Sequence, residues 1–174
     1  MKSVINTTFN LICYILSKRN DIINLRFSDV LLGKVTLVDI RRKTVKKEFV
    51  NVLLYSVNLL HPIDRENAIS AVINRAKTFE ENKDKILKLR VINRELLEKL
   101  SPSVSCIKII KENENSYISF DGNSRIQALK RVFGEKDNIM VEVELYIINN
   151  REKVLLKIDR LRRLYNRKHR SADN

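Results

Sequence analysis

Glycine and proline are scarce in this chain, 3 and 2 residues in 174. Few sharp reversals are open to it, and no flexible linker is visible. Tryptophan is absent and aromatics make up only 6%, so a core has to be mainly aliphatic. The two histidines, His61 and His169, have no metal-ligating partner at suitable spacing. With two lone cysteines, that excludes a metal cluster built from protein ligands. No Ser-His-Asp or Cys-His arrangement is readable either. Cys13 and Cys106 lie far apart and each is flanked by apolar residues, so they read as buried thiols rather than a disulfide. A reducing, cytoplasmic compartment is expected. The apolar run Phe9–Leu16 is too short to span a bilayer, and no small-residue cleavage site follows it. Ile5, Phe9, Ile12, Cys13 and Leu16 suit an amphipathic helix instead, and no membrane partner is expected. Internal repeats and low-complexity tracts are also missing.

What the chain has is positive charge. There are 34 Lys and Arg against 21 Asp and Glu, a net +13. Such a balance favours a polyanionic partner, nucleic acid (DNA or RNA) before an acidic membrane surface. A basic, AT-rich genome that raises Lys, Asn and Ile usage accounts for it equally well. Two clusters stand out. Arg41, Arg42, Lys43, Lys46 and Lys47 form either a solvated turn or a phosphate-facing patch. Arg160, Arg162, Arg163, Arg167, Lys168 and Arg170 crowd the end of a basic amphipathic helix over Glu152–Arg170, where cations suit the helix dipole. Its apolar face is Val154, Leu155, Ile158, Leu161, Leu164 and Tyr165.

Hydrophobic residues make up 44%, a globular composition. A first helix is expected over about residues 8–17, then a strand over Lys34–Ile40. Phe49, Val52, Leu53, Val57 and Leu60 form a helical stripe over Glu48–Leu60, ended by His61-Pro62. Asp64 can cap a helix over Arg65–Glu81 that buries Ala68, Ile69, Val72, Ile73 and Ala76. Further helix is expected over Asn82–Leu100, stopped by Ser101-Pro102-Ser103. Val104–Ile110 reads as a strand, Lys111–Asn115 as a hairpin loop, and Asn138–Asn149 as a strand with one wet face. The fold class is α+β: a small mixed sheet of Lys34–Ile40, Val104–Ile110, Tyr117–Asp121 and Met140–Ile148, packed by helices.

The stretch Ser116–Gly134 organises the rest. Tyr117, Ile118 and Phe120 are strand formers, and Asp121-Gly122 is a turn signal. Asn123 or Ser124 can cap a helix that carries Ile126, Leu129, Val132 and Phe133 at helical spacing. A strand that breaks at glycine into a helix presents free backbone N–H groups, a ready anion site. Arg125 stands in the first turn, where its fork can reach a phosphate.

The segment Asp121-Gly122-Asn123-Ser124-Arg125, with Ala128 three residues on, resembles the ParB/sulfiredoxin-like superfamily. Members carry Gly-x-x-Arg between a strand and a helix, where it handles nucleotide phosphates. Gly122, Arg125 and Ala128 match; Asn123 stands where sulfiredoxin has its reactive Cys and ParB a Glu. The resemblance covers roughly residues 104–148. The chain is expected to divide into an N-terminal helical extension over 1–33, a ParB-like domain over 34–150 with a helical insertion at about 48–100, and a basic C-terminal helix and tail over 151–174. Only about one helix is expected after residue 150, so no counterpart of the partition proteins' separate helix-turn-helix domain is expected there. The implied ligand is ATP or CTP, held at Gly122, Asn123, Ser124 and Arg125. Asp121 and Arg125 are the candidate catalytic residues, with Mg2+ held through water by Asp121 as an option beside a simple turn-capping role. Glu142 and Glu144 share one face of a strand and read as solvent-facing. Hydrolysis, phosphotransfer and nuclease-like cleavage all fit the resemblance, and so does a homodimer. A non-catalytic basic DNA- or RNA-binding or assembly module that retains the fold is the alternative.

Overall fold

The computed structural model describes residues 36–60, 62–63 and 66–172, with side chains described up to residue 163. Two compact units divide the chain. Thr44–Asn149 forms one, and Met1–Lys43 with Asn150–Asn174 forms the other.

The Thr44–Asn149 unit is an α+β fold with a mixed six-stranded sheet. Its strands are β1 (Thr44–Leu53), β2 (Val57–Leu59), β3 (Val91–Ile92), β4 (Lys108–Lys111), β5 (Tyr117–Asp121) and β6 (Met140–Ile148). They lie in the order β1-β6-β4-β5-β2, with β3 also paired to β6. The β1–β6 and β4–β5 pairs are antiparallel, while β4–β6, β2–β5 and β3–β6 are parallel. The other unit contributes helix α1, residues 36–43. Helices α2 (Glu66–Glu81), α3 (Lys83–Leu89), α4 (Arg94–Leu100) and α5 (Asn123–Val132) belong to the sheet unit, and α6 (Arg151–Ala172) to the other. The sheet unit's core holds Val52, Leu54, Phe79, Ile86, Ile92, Ile109, Ile126, Leu129, Val141 and Val143, nearly all aliphatic, as the shortage of aromatics requires.

Four expectations are corrected. Of the strand expected over Val104–Ile110 only residues 108–110 are extended, and 104–107 have no regular structure, with Val104 fully exposed. Residues 36–40, expected as strand, are helical. In a strand Thr36, Val38 and Ile40 would share a face, but Thr36 and Ile40 are buried while Val38 is exposed, an i, i+4 pattern. The run Glu48–Leu60, expected as helix, is strand β1, a short 3-10 turn over Leu54–Ser56, and β2. Val52 and Leu54 turn inward while Phe49 and Leu53 are exposed, a period of two. The helical stripe in that stretch was a coincidence of spacing, and pairing with β6 decided the outcome. Finally, Asn82–Leu100 is two helices broken at Arg90, whose φ of 59° is left-handed, with β3 between them. The stretch expected as helical over about 48–100 is thus strand, 3-10 turn and strand over 48–59, with the described α-helices of that stretch lying within 66–100. The predicted helix over residues 8–17, Cys13, His61 and the Asp64 cap lie outside the described residues, as does the side chain of His169.

Within the other unit, Lys157 on α6 forms an ion pair with Asp39 on α1. Ile40, Val154, Ile158 and Leu161 are buried. No helix among the described residues is long and apolar enough to cross a membrane.

Candidate phosphate site

Strand β5 ends at Asp121 and α5 begins at Asn123, leaving Gly122 as the only residue between them. Gly122 has φ +82°, the left-handed region that side chains resist. Space forbids a side chain as well. A Cβ there would lie 2.8 Å from Ile107 Cγ1 and 3.1 Å from both Ile107 Cα and Arg125 Nη2. The glycine therefore lets the turn close onto the chain that leads into β4.

The Gly122 carbonyl accepts from the amides of Arg125 at 3.0 Å and Ile126 at 3.2 Å. The amides of Asn123 and Ser124 stand in the first turn, where a helix offers no acceptor of its own. Asn123 Oδ1 is buried with no hydrogen-bond partner among the described residues.

Arg125 is buried, with 4% of its surface exposed. Its Nη2 donates to the Ser105 carbonyl at 2.5 Å. The fork thus lies beneath the turn. Burial lowers its pKa from the ordinary guanidinium value; Asp121 opposes the shift and Arg75 adds to it. An arginine keeps its proton nonetheless. Asp121 Oδ2 accepts from Ser105 Oγ at 2.9 Å and lies 3.2 Å from Lys108 Nζ. Ser119, fully buried in β5, donates its hydroxyl to the Asp121 carbonyl.

A second guanidinium stands at the same place. Arg75 on α2 donates through Nε to Ser101 Oγ at 3.0 Å and through Nη1 to Ser124 Oγ at 3.1 Å. Arg75, Ser101, Ser105 and Lys108 are not among the site residues that the sequence pattern suggests. For Arg75 a signal existed: it sits three residues after Val72 and four before Phe79, both buried. A cation on the buried stripe needs a reason. The expected stripe Ala68, Ile69, Val72, Ile73 and Ala76 is rotated, because Ile69 and Ile73 are exposed.

The remaining candidates lie apart from the turn. Lys46 pairs with Glu48, and Lys47 stands over the Tyr146 ring, both on β1. Arg41, Arg42 and Lys43 end α1, so the first basic cluster is divided between a helix end and a strand start rather than forming one turn. Arg160 and Arg163 are exposed on α6, Arg162 is half-buried there, and Arg167, Lys168 and Arg170 lie further along the same helix. Glu142 accepts from the Arg94 amide at 2.8 Å and Glu144 from the Cys106 thiol at 3.3 Å, so both serve the fold. Cys106 is a free, half-buried thiol. Burial and the neighbouring Glu144 push its pKa up, so it stays a thiol rather than a reactive thiolate at neutral pH. Among the described residues no group of three His, Cys, Asp or Glu side chains is placed to hold a metal ion.

The chain matches no family model, no curated protein and no solved structure.

Proposed function

We propose that the chain is a ParB-like nucleotide-binding protein that takes the phosphates of ATP or CTP at the turn Gly122, Asn123, Ser124 and Arg125. The carrying observation is the left-handed Gly122, which opens β5 directly into α5 with the guanidinium groups of Arg75 and Arg125 beside the opening. Element order supports the reading. Around their motif ParB-like domains show a strand, a hairpin, a strand, the turn, a helix and a strand. Here β4 and β5 form the hairpin, α5 follows the turn, and β6 lies next to β4, while residues 36–40 of the expected opening strand are helical. Asn123, in place of Cys or Glu, sets aside the chemistry those residues perform elsewhere and leaves binding as the commitment.

Mg2+ fits this donor set only as part of the nucleotide. Asp121 is one carboxylate facing Lys108 and Arg125, a field that repels a bare dication. With triphosphate oxygens present, Asp121 is the residue to meet the ion, and the metal would further neutralise the phosphates. The residues of the chain itself hold and orient: backbone amides and Ser124 toward phosphate oxygens, Arg125 and Arg75 as fixed charges.

Calorimetric titration with ATP, CTP and GTP in the presence of Mg2+ tests the reading. Arg125→Ala is expected to weaken binding by on the order of ten- to a hundredfold, the value of about one charge-assisted hydrogen bond. Equal affinity in wild type and Arg125→Ala, with circular dichroism unchanged, would sink the nucleotide reading.

Binding to DNA or RNA through basic surface is the second reading. It is favoured by exposed Arg41 and Arg42 on α1 and exposed Arg160 and Arg163 on α6, two helices joined by the Asp39–Lys157 ion pair. Such binding should be indifferent to sequence and should fall steeply with salt, because neutralised phosphates release counterions. A low-salt gel-shift titration with no mobility change would exclude it.

A further inference from the structure

Residues 101–107 connect α4 to β4 without regular structure. Both ends are anchored, since Ser101 and Ile107 are buried. The middle is not: Pro102 is exposed and Val104 is fully exposed, so no apolar packing holds the tip down. Polar bonds do that instead: the Cys106 thiol donates to Glu144 in β6, and three others run to the candidate phosphate site. Arg75 donates to Ser101, Ser105 donates to Asp121, and Arg125 donates to the Ser105 carbonyl. The last bond joins a buried cation to a neutral acceptor. A phosphate oxygen is a stronger partner for a guanidinium than a peptide carbonyl, because both sides of that bond are charged.

We propose that residues 101–107 are an autoinhibitory strap: the Ser105 carbonyl holds the Arg125 guanidinium beneath the turn, and a triphosphate must displace that carbonyl to engage it. The inference rests on the phosphate reading of the turn. Fewer molecules are competent while the strap is closed, so apparent affinity is lowered by the closed fraction. Loosening the strap without touching Arg125 or Asp121 should therefore tighten binding. The double variant Ser101→Ala/Ser105→Ala removes one side-chain bond to Arg75 and one to Asp121 and leaves the Ser105 carbonyl in place.

The test uses the full chain with ATP, CTP and inorganic tripolyphosphate, read by calorimetry and by hydrogen–deuterium exchange of peptides covering 101–107. Expected is faster exchange of 101–107 with ligand in the wild type, and binding about tenfold tighter in the double variant. A wild type that fails to bind while the double variant binds also supports the strap. If the wild type binds with exchange of 101–107 unchanged and the double variant binds no tighter, the strap is overturned and the phosphate site stands. If neither protein binds any of the three ligands, both fall.

Discussion

The two ends of α5 are finished in different ways. At its C-terminus the helix is closed by groups committed to the fold. Tyr55 donates its hydroxyl to the Phe133 carbonyl at 2.8 Å, and the Phe133 amide returns to Leu129 at 2.9 Å. Lys130 donates to the Val57 carbonyl at 2.7 Å with its ammonium over the Tyr55 ring. These bonds tie α5 to the 3-10 turn and to β2. At the N-terminus the helix meets a glycine, two guanidinium groups and two serine hydroxyls, and the cations rest on neutral oxygens. Lys130 rests on a neutral oxygen too, but that carbonyl belongs to β2, whereas the N-terminal acceptors Ser101 and Ser105 belong to a segment without regular structure. One end of α5 is therefore tied to the sheet, and the other to an irregular segment.

Changes at the N-terminal end should give the largest effects. Gly122→Val places a branched side chain where a single Cβ already meets Ile107 at 2.8 Å, in a left-handed conformation. Strain and overpacking together are expected to cost about 2–5 kcal/mol of stability, read by chemical denaturation. A midpoint equal to wild type would mean that the turn does not press on Ile107. At the other end, Tyr55→Phe removes one hydrogen bond to the Phe133 carbonyl. A loss of about 0.5–1.5 kcal/mol is expected, with nucleotide affinity unchanged. A drop in affinity without loss of stability would erase the distinction between the two ends.

The smallest effect is a pH dependence. The raised pKa of Cys106 means the folded state holds the thiol proton more tightly than the unfolded chain does. Its contribution is fully present below the ordinary thiol value, about 8.5, and is lost as pH rises through the folded value. Cys106→Ala should flatten that part of the alkaline stability profile, measured by denaturation between neutral and alkaline pH. Mass-spectrometric mapping should also find Cys106 alkylated more slowly than a free cysteine at neutral pH. An unchanged profile together with free-cysteine reactivity would contradict the contact with Glu144.

The N-terminal end was the more legible in the sequence. Tyr117–Asp121, the Asp-Gly reversal and the helix that follows are specified by near neighbours, and the structure places β5 and α5 where they were expected. The same holds for β6, whose alternation is unambiguous, and for α2, apart from the rotation of its buried face. What escaped depended on distant residues. β1 carries a helix-like stripe and became a strand because β6 supplied its partner across the sheet. Thr36 and Ile40 suit either period, and burial alone distinguished them. Arg75 stood out on the buried stripe of α2, but its partners Ser101, on a loop, and Ser124, in the first turn of α5, are brought to it only by folding.

The sheet order has a consequence for the order of synthesis. β1 and β2 are separated by one short turn in sequence yet stand at opposite ends of the path β1-β6-β4-β5-β2. Leu53 finds its partner in Met140 and Thr44 in Ile148, while Val57 waits for Tyr117. During translation, at roughly 5–20 residues per second, β1 exists for several seconds before β6 leaves the ribosome. For that interval Val45, Phe49 and Leu53 are carried on an unpaired strand rich in β-formers, the kind of segment that seeks any available partner. The cations Lys46 and Lys47 sit within that same strand, where like charge discourages two nascent chains from pairing through it.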